Sequence, residues 1–114
     1  MKKTDAAPPT YARFLAEFPA LGEAWEAMRR AEEQGPLLER ERRLLKLAVA
    51  IGAGKEGPVH SAVRKAVAAG CSPAELQQVV ALAASTIGLP PAVAAWSWVV
   101  EVLEGGTNPR QPGS

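Results

Sequence analysis

The chain has 114 residues, 47% of them apolar and 22% charged, with 22 Ala, one Cys, one His and one Asp. That length and balance exclude a second core of ordinary size and exclude disorder of the whole chain. The formal net charge of +1, from 13 basic and 12 acidic residues, offers no electrostatic ground for nucleic acid or an anionic membrane as partner.

Ala loses no side-chain entropy in a helix, and with aromatics at only 5% the composition predicts an all-α fold. Residues 1–9 are polar and Pro-bearing, and 105–114 carries Gly, Pro and Asn without periodicity. Both are expected to be flexible tails around one helical domain over 10–104. The start, Met1-Lys2-Lys3-Thr4-Asp5, runs into Pro8-Pro9 instead of an apolar core, unlike a signal peptide, so a cytoplasmic location is expected.

A compact bundle of six helices is predicted, with no strand and no internal repeat. Thr10 can cap a short helix to Phe18, and Pro19 can open a second to about Gln34, stopped by Gly35-Pro36. The second carries Leu21, Trp25 and Met28 at helical spacing. The third spans about Leu37 to Ala53, with Leu38, Leu44, Leu45, Ala48 and Ile51 on one face and Glu39, Arg42, Arg43 and Lys46 on the other. The fourth runs from Pro58 to Ala69 on a stripe of Val59, Val63, Ala66 and Val67, and Gly70 ends it. Ser72-Pro73-Ala74-Glu75 is a capping box with Pro at the first helical position, starting a fifth helix that Gly88 closes. Pro90-Pro91 opens the sixth, which carries Trp96, Trp98, Val99 and Val102 before Gly105-Gly106.

Charge is distributed unevenly. From Ala66 to Leu103 only Glu75 and Glu101 are charged, and so short a chain cannot cover helices that are apolar on nearly every face. An obligate homo-oligomer is expected. A transmembrane reading of Leu76 to Val100 fails because Gly88-Leu89-Pro90-Pro91 divides the stretch into pieces too short to span a bilayer.

Any imidazole chemistry rests on His60, within Gly54-Lys55-Glu56-Gly57-Pro58-Val59-His60-Ser61. If Gly57 is the cap, His60 lies in the first helical turn, near free backbone N–H groups and the positive end of the helix dipole, a position that favours a neutral, basic imidazole. Glu56 supplies a carboxylate for proton transfer, and Lys55 with the helix start would attract an anionic substrate group. The plainer alternative is a surface or capping histidine beside a solvated loop. Glu41 points toward the Leu44, Leu45 and Ala48 side, so it is either one half of a structural ion pair or a site carboxylate. The rest of the Arg40-Glu41-Arg42-Arg43 run reads as a solvated face with pairs such as Glu39 to Arg43. Cys71, after the helix-ending Gly70, reads as a packing residue, and alone it excludes a disulfide within the chain. Trp96 and Trp98 lie about 200° apart on a helix, so one is expected on the core and the other at a subunit contact. One His, one Cys and one Asp assemble no metal-ligand cluster, phosphate loop or Ser/His/Asp set, and no cofactor is expected.

Three stretches together, Arg43-Leu44-Leu45-Lys46-Leu47-Ala48-Val49-Ala50-Ile51, Lys55-Glu56-Gly57-Pro58-Val59-His60-Ser61 and Ala66-Val67-Ala68-Ala69-Gly70-Cys71-Ser72-Pro73-Ala74-Glu75-Leu76, resemble the carboxymuconolactone decarboxylase family. That superfamily includes the alkylhydroperoxidase D-like proteins. Ala83 to Ala92 is similar to the family's small-residue helix and Gly-x-Pro turn, and the resemblance covers about residues 37 to 103. It implies an all-helical fold that assembles as a trimer or a hexameric ring, with sites near subunit contacts. The Cys-x-x-Cys pair of the alkylhydroperoxidase branch falls here at Lys55 and Pro58, its proton-relay Glu at Arg43 and its His at Ala62, which argues against thiol peroxidase chemistry. The decarboxylase branch likewise keeps a His where this chain has Ala62. A smaller variant of the family resembles Glu56, Gly57, His60 and Ser61, with the site moved two residues along the chain.

The resulting expectation is a cofactor-free acid/base enzyme, a lyase or isomerase acting on a small carboxylated or lactone-like substrate. His60 would be the general base, Glu56 or Glu41 its acid partner, and Lys55, Arg43 and Ser61 would bind substrate. The rival is a non-catalytic oligomeric binding or scaffold protein that retains the fold.

Overall fold

The computed structural model describes residues 9–105, which form six helices with no strand among them. The expected tails lie outside these residues, save Pro9 and Gly105, which are the end residues of the first and last helices. Contacts divide the chain after Leu38 into two compact units.

The first unit holds α1 (Pro9–Glu17) and α2 (Pro19–Glu32). One residue joins them: Phe18 leaves the helical region at φ −128°, ψ 75°, while its N–H still donates to the Phe14 carbonyl at 3.0 Å. The Phe14 and Phe18 rings meet at 5.2 Å with a 49° tilt, a favourable edge-biased geometry. Pro19 opens α2 with its φ already helical. Leu21, Trp25 and Met28 do form a row on α2, but each remains about half exposed, and neither helix has a buried residue.

The second unit holds α3 (Glu39–Ala53), α4 (Glu56–Ala68), α5 (Pro73–Ile87) and α6 (Leu89–Gly105). Helix α3 packs on α4 and α5, and α6 packs on the same two. Their shared core is Leu47, Ile51, Val59, Val63, Ala66, Leu76 and Val99, each at most 1% exposed. Buried Ala50, Ala92 and Ala95 lie among them, small side chains that permit close helix approach. Gly70 takes φ 95°, which lets the Cys71 N–H turn back onto the Ala66 carbonyl at 2.9 Å and end α4. Gly88, at φ 91°, reverses the chain so that α5 and α6 are separated by that single residue. No helix among the described residues is long and apolar enough to cross a membrane.

Helix α1 begins at Pro9, so Thr10 lies inside it and is not its cap, and α3 begins at Glu39 and not near Leu37. Two further starts differ from the sequence expectation for one reason. Helix α4 begins at Glu56, with Lys55 as N-cap, and not at Pro58; α6 begins at Leu89, ahead of Pro90-Pro91. The first four N–H groups of a helix have no intrahelical acceptor, so proline is tolerated anywhere in that turn and does not mark its first residue.

The start of α5 is held twice. Ser72 and Glu75 form the reciprocal capping box, Ser72 N–H to Glu75 Oε1 at 2.8 Å and Glu75 N–H to Ser72 Oγ at 3.1 Å. The same carboxylate accepts from Arg40 Nη2 on α3 at both oxygens. Arg40, read from sequence as part of a solvated face, is therefore a tie between α3 and α5. The guanidinium and the cap together hold the Glu75 carboxyl below its ordinary range.

Two outcomes are expected. Leu47→Ala should destabilise the fold by about 2–5 kcal/mol in urea titration, because a fully buried Leu leaves a cavity; a loss under about 1 kcal/mol would refute its place in the core. Because Glu75 binds its proton less readily folded than unfolded, its contribution is fully present above the ordinary Glu value of about 4.3 and is lost as pH falls through the lower folded value. Glu75→Gln should therefore give a shallower acid limb than wild type in stability measured against pH; identical limbs would refute the assignment.

Candidate functional site

Helix α4 turns its Val59, Val63 and Ala66 stripe into the core. That rotation sets His60 beside the stripe, four residues after Glu56 and so one turn above it on the same face. His60 faces α6, where Glu101 stands close to the C-terminal end.

His60 Nε2 lies 2.8 Å from Glu101 Oε1 and 3.7 Å from Glu56 Oε2. The side chains of His60 and Glu101 are 19% and 18% exposed, and Glu56 is more open. Both His60 Nε2 and Glu101 Oε1 are shielded from solvent, and despite their closeness neither makes a hydrogen bond. The contact has the length of a strong hydrogen bond without its alignment. The two carboxylates and the imidazole place one donor atom each within 4.8 Å of one another, a grouping of metal-ligand types that the count of His, Cys and Asp did not foresee because it left out Glu.

The sequence-derived residues divide accordingly. His60 and Glu56 are brought together. His60 is the fifth residue of α4, past the four free N–H groups, so the expected first-turn position is corrected and its surroundings are set by the two carboxylates. Lys55 is exposed at the α4 N-cap, and Ser61 is half-buried on α4. Glu41 is exposed on α3 instead of packed against the apolar side, and Arg43 is half-buried with its guanidinium 3.9 Å from Glu39. Ala62 packs against the core, and a two-residue step along a helix turns the side chain by about 200°. His60 is therefore on a different face of α4 from Ala62.

Glu101 escaped the sequence reading. Its signal was its isolation, since it is one of two charges between Ala66 and Leu103. A carboxylate set in an apolar stretch needs a partner when the helix is buried.

Cys71 is buried, its Sγ 3.8 Å from the Arg40 carbonyl, and burial pushes its thiol up. This agrees with a packing role. Trp98 packs against the core while Trp96 is exposed and its Nε1 donates to Gln77 Oε1 at 3.4 Å. Gln77, Ala81, Val93 and Trp96 help line an open apolar groove of about 300 Å³ between α5 and α6, whose lining does not include His60.

No curated protein and no solved structure matches the chain. The sequence pattern of the carboxymuconolactone decarboxylase family matches residues 19–101. That match takes in α2 to α5 and α6 as far as Glu101. It covers well over half of the sequence, and the chain belongs to the carboxymuconolactone decarboxylase family.

Proposed function

We propose that this family member is an acid/base enzyme acting by proton transfer on a small carboxylated or lactone-like substrate, as a decarboxylase or isomerase. The carrying observation is the His60 Nε2 contact with Glu101 Oε1 at 2.8 Å, with Glu56 Oε2 at 3.7 Å. His60 takes the substrate proton at Nδ1, while the two glutamates at Nε2 orient the ring and stabilise the charge it gains. Lys55 and the free N–H groups at the start of α4 draw the substrate carboxylate toward the site. Glu41 and Arg43 have no part in this version of the site. Thiol peroxidase chemistry of the two-cysteine kind has no counterpart in a chain whose single Cys71 is buried.

The protein is further proposed to work as a homo-oligomer, a trimer or a hexamer. Support comes from Leu82 at 69%, Leu89 at 70% and Val93 at 61% exposure on α5 and α6, with Trp96 nearby in the groove. Such surface is costly in water and favours association. One observation favours the rival reading of a non-catalytic binding or scaffold protein: the α5–α6 groove is apolar and carries no titratable group.

A thermal-shift screen of small carboxylic acids and lactones in chelator-treated buffer separates the two. A ligand at about 100 times its Kd adds about 2.7 kcal/mol, enough to raise Tm by several degrees in a chain of this size. Ligands that stabilise wild type and leave His60→Ala unmoved support the acid/base site; ligands that stabilise both equally remove His60 from it. In sedimentation equilibrium the wild-type chain should appear as a multiple of 12.0 kDa, and Val93→Glu should shift it toward the monomer. A wild-type monomer at micromolar concentration would refute the oligomer.

A further inference from the structure

The His60 and Glu101 contact poses a physical problem. An imidazole nitrogen and a carboxylate oxygen stand 2.8 Å apart, both shielded from water, with no hydrogen bond between them and none to any other group. Two lone-pair atoms at that distance repel unless positive charge lies between or beside them, and a buried polar atom left without a partner is costly. A protonated imidazole would make the contact an ion pair, still without the alignment of a hydrogen bond.

A metal ion asks for a different geometry. With metal–nitrogen and metal–oxygen bonds of about 2.0–2.2 Å, neighbouring donors on one ion are about 3.0–3.5 Å apart. The two separations from His60 Nε2, 2.8 Å to Glu101 and 3.7 Å to Glu56, bracket that spacing. The third donor pair closes the triangle within 4.8 Å. Two helices supply the donors: Glu56 and His60 from one face of α4 and Glu101 from α6. The triangle is therefore built by packing and needs no loop to rearrange.

We propose that His60 Nε2, one oxygen of Glu56 and one oxygen of Glu101 form a binding site for a divalent first-row transition ion of the zinc, manganese or ferrous class. One imidazole and two carboxylates are a borderline-to-hard donor set that suits these ions. The two carboxylate charges balance the ion's charge, and three protein ligands leave room for water or a ligand at the remaining positions. This goes beyond the proton-transfer reading. The ion occupies the Nε2 lone pair that a proton held against the two glutamates would otherwise fill, so metal and proton are alternative occupants of Nε2.

The experiment titrates Co²⁺ and Zn²⁺ into tag-free, chelator-stripped full-length protein, following cobalt visible absorption and binding heat. Wild type is expected to saturate at one ion per chain, without the thiolate-to-cobalt band that Cys71 would produce. Loss of even an outer-shell partner commonly weakens metal sites about 10–100-fold, so Glu101→Gln and Glu56→Gln should each weaken binding at least tenfold, and His60→Ala should abolish it. Glu101→Gln preserves shape and decides the matter should His60→Ala lose its helical circular dichroism. Absence of saturable binding to wild type, or equal affinity in wild type and Glu101→Gln, overturns the site. The readout contains no substrate, so its failure leaves the proton-transfer proposal standing, and failure of the ligand screen in chelator-treated buffer leaves the metal site standing.

Discussion

Burial of the Val59, Val63 and Ala66 stripe governs what the rest of the four-helix unit can do. These three side chains have no exposed surface, and α4 lies against α3 on one side and α6 on another. Each buried Val contributes on the order of 1.5–3 kcal/mol relative to exposure, so the rotation of α4 about its axis is strongly set. Once it is set, the i,i+4 spacing places Glu56 beneath His60, and both face α6. The candidate site is a by-product of core packing: no loop shapes it.

The uncharged half of the chain imposes the complementary constraint. Its two carboxylates both find partners in the charged half: Glu75 reaches Arg40, and Glu101 reaches His60. The pairs differ in kind. Glu75 is exposed enough to be solvated, is aligned with both the guanidinium and the Ser72 cap, and so fastens α5 to α3. Glu101 is more enclosed and is close to its partner without a hydrogen bond. The first arrangement is what a structural tie requires, while the second leaves polar capacity unspent, as sites that bind or react do.

Much of the architecture was legible along the chain. The Ser72 to Glu75 box and Gly88 marked the limits of α5 because capping depends on residues within one turn of each other. The periodicity of α4 named its buried Val59, Val63 and Ala66 but also Val67, which is exposed. That of α3 named Ile51 while missing buried Leu47 and Ala50 and including Leu38 and Leu45, which are exposed. The starts of α4 and α6 were less legible, since proline fits several positions of a first turn. Glu41 lay on the apolar side of its helical wheel, yet the packed structure leaves it at the surface, because a wheel does not show how far along its length a helix is covered. Trp96 and Trp98 were separable by helix geometry, and the structure sends Trp98 to the core.

What the sequence determined by itself is whatever local chemistry decides: the helical class, most helix ends, the scarcity of charge after residue 65, and the single Cys and His that limit the available reactions. Only the tertiary structure decided that Arg40 meets Glu75 across 35 residues and that His60 meets Glu101 across 41. The physical reason is that helix propensity and capping act within a few residues, whereas the approach of α6 to α4 depends on the summed shapes of Val59, Val63, Ala95, Val99 and their neighbours. No single residue among these specifies the contact; together they set the approach of the two helices that brings Glu101 to His60.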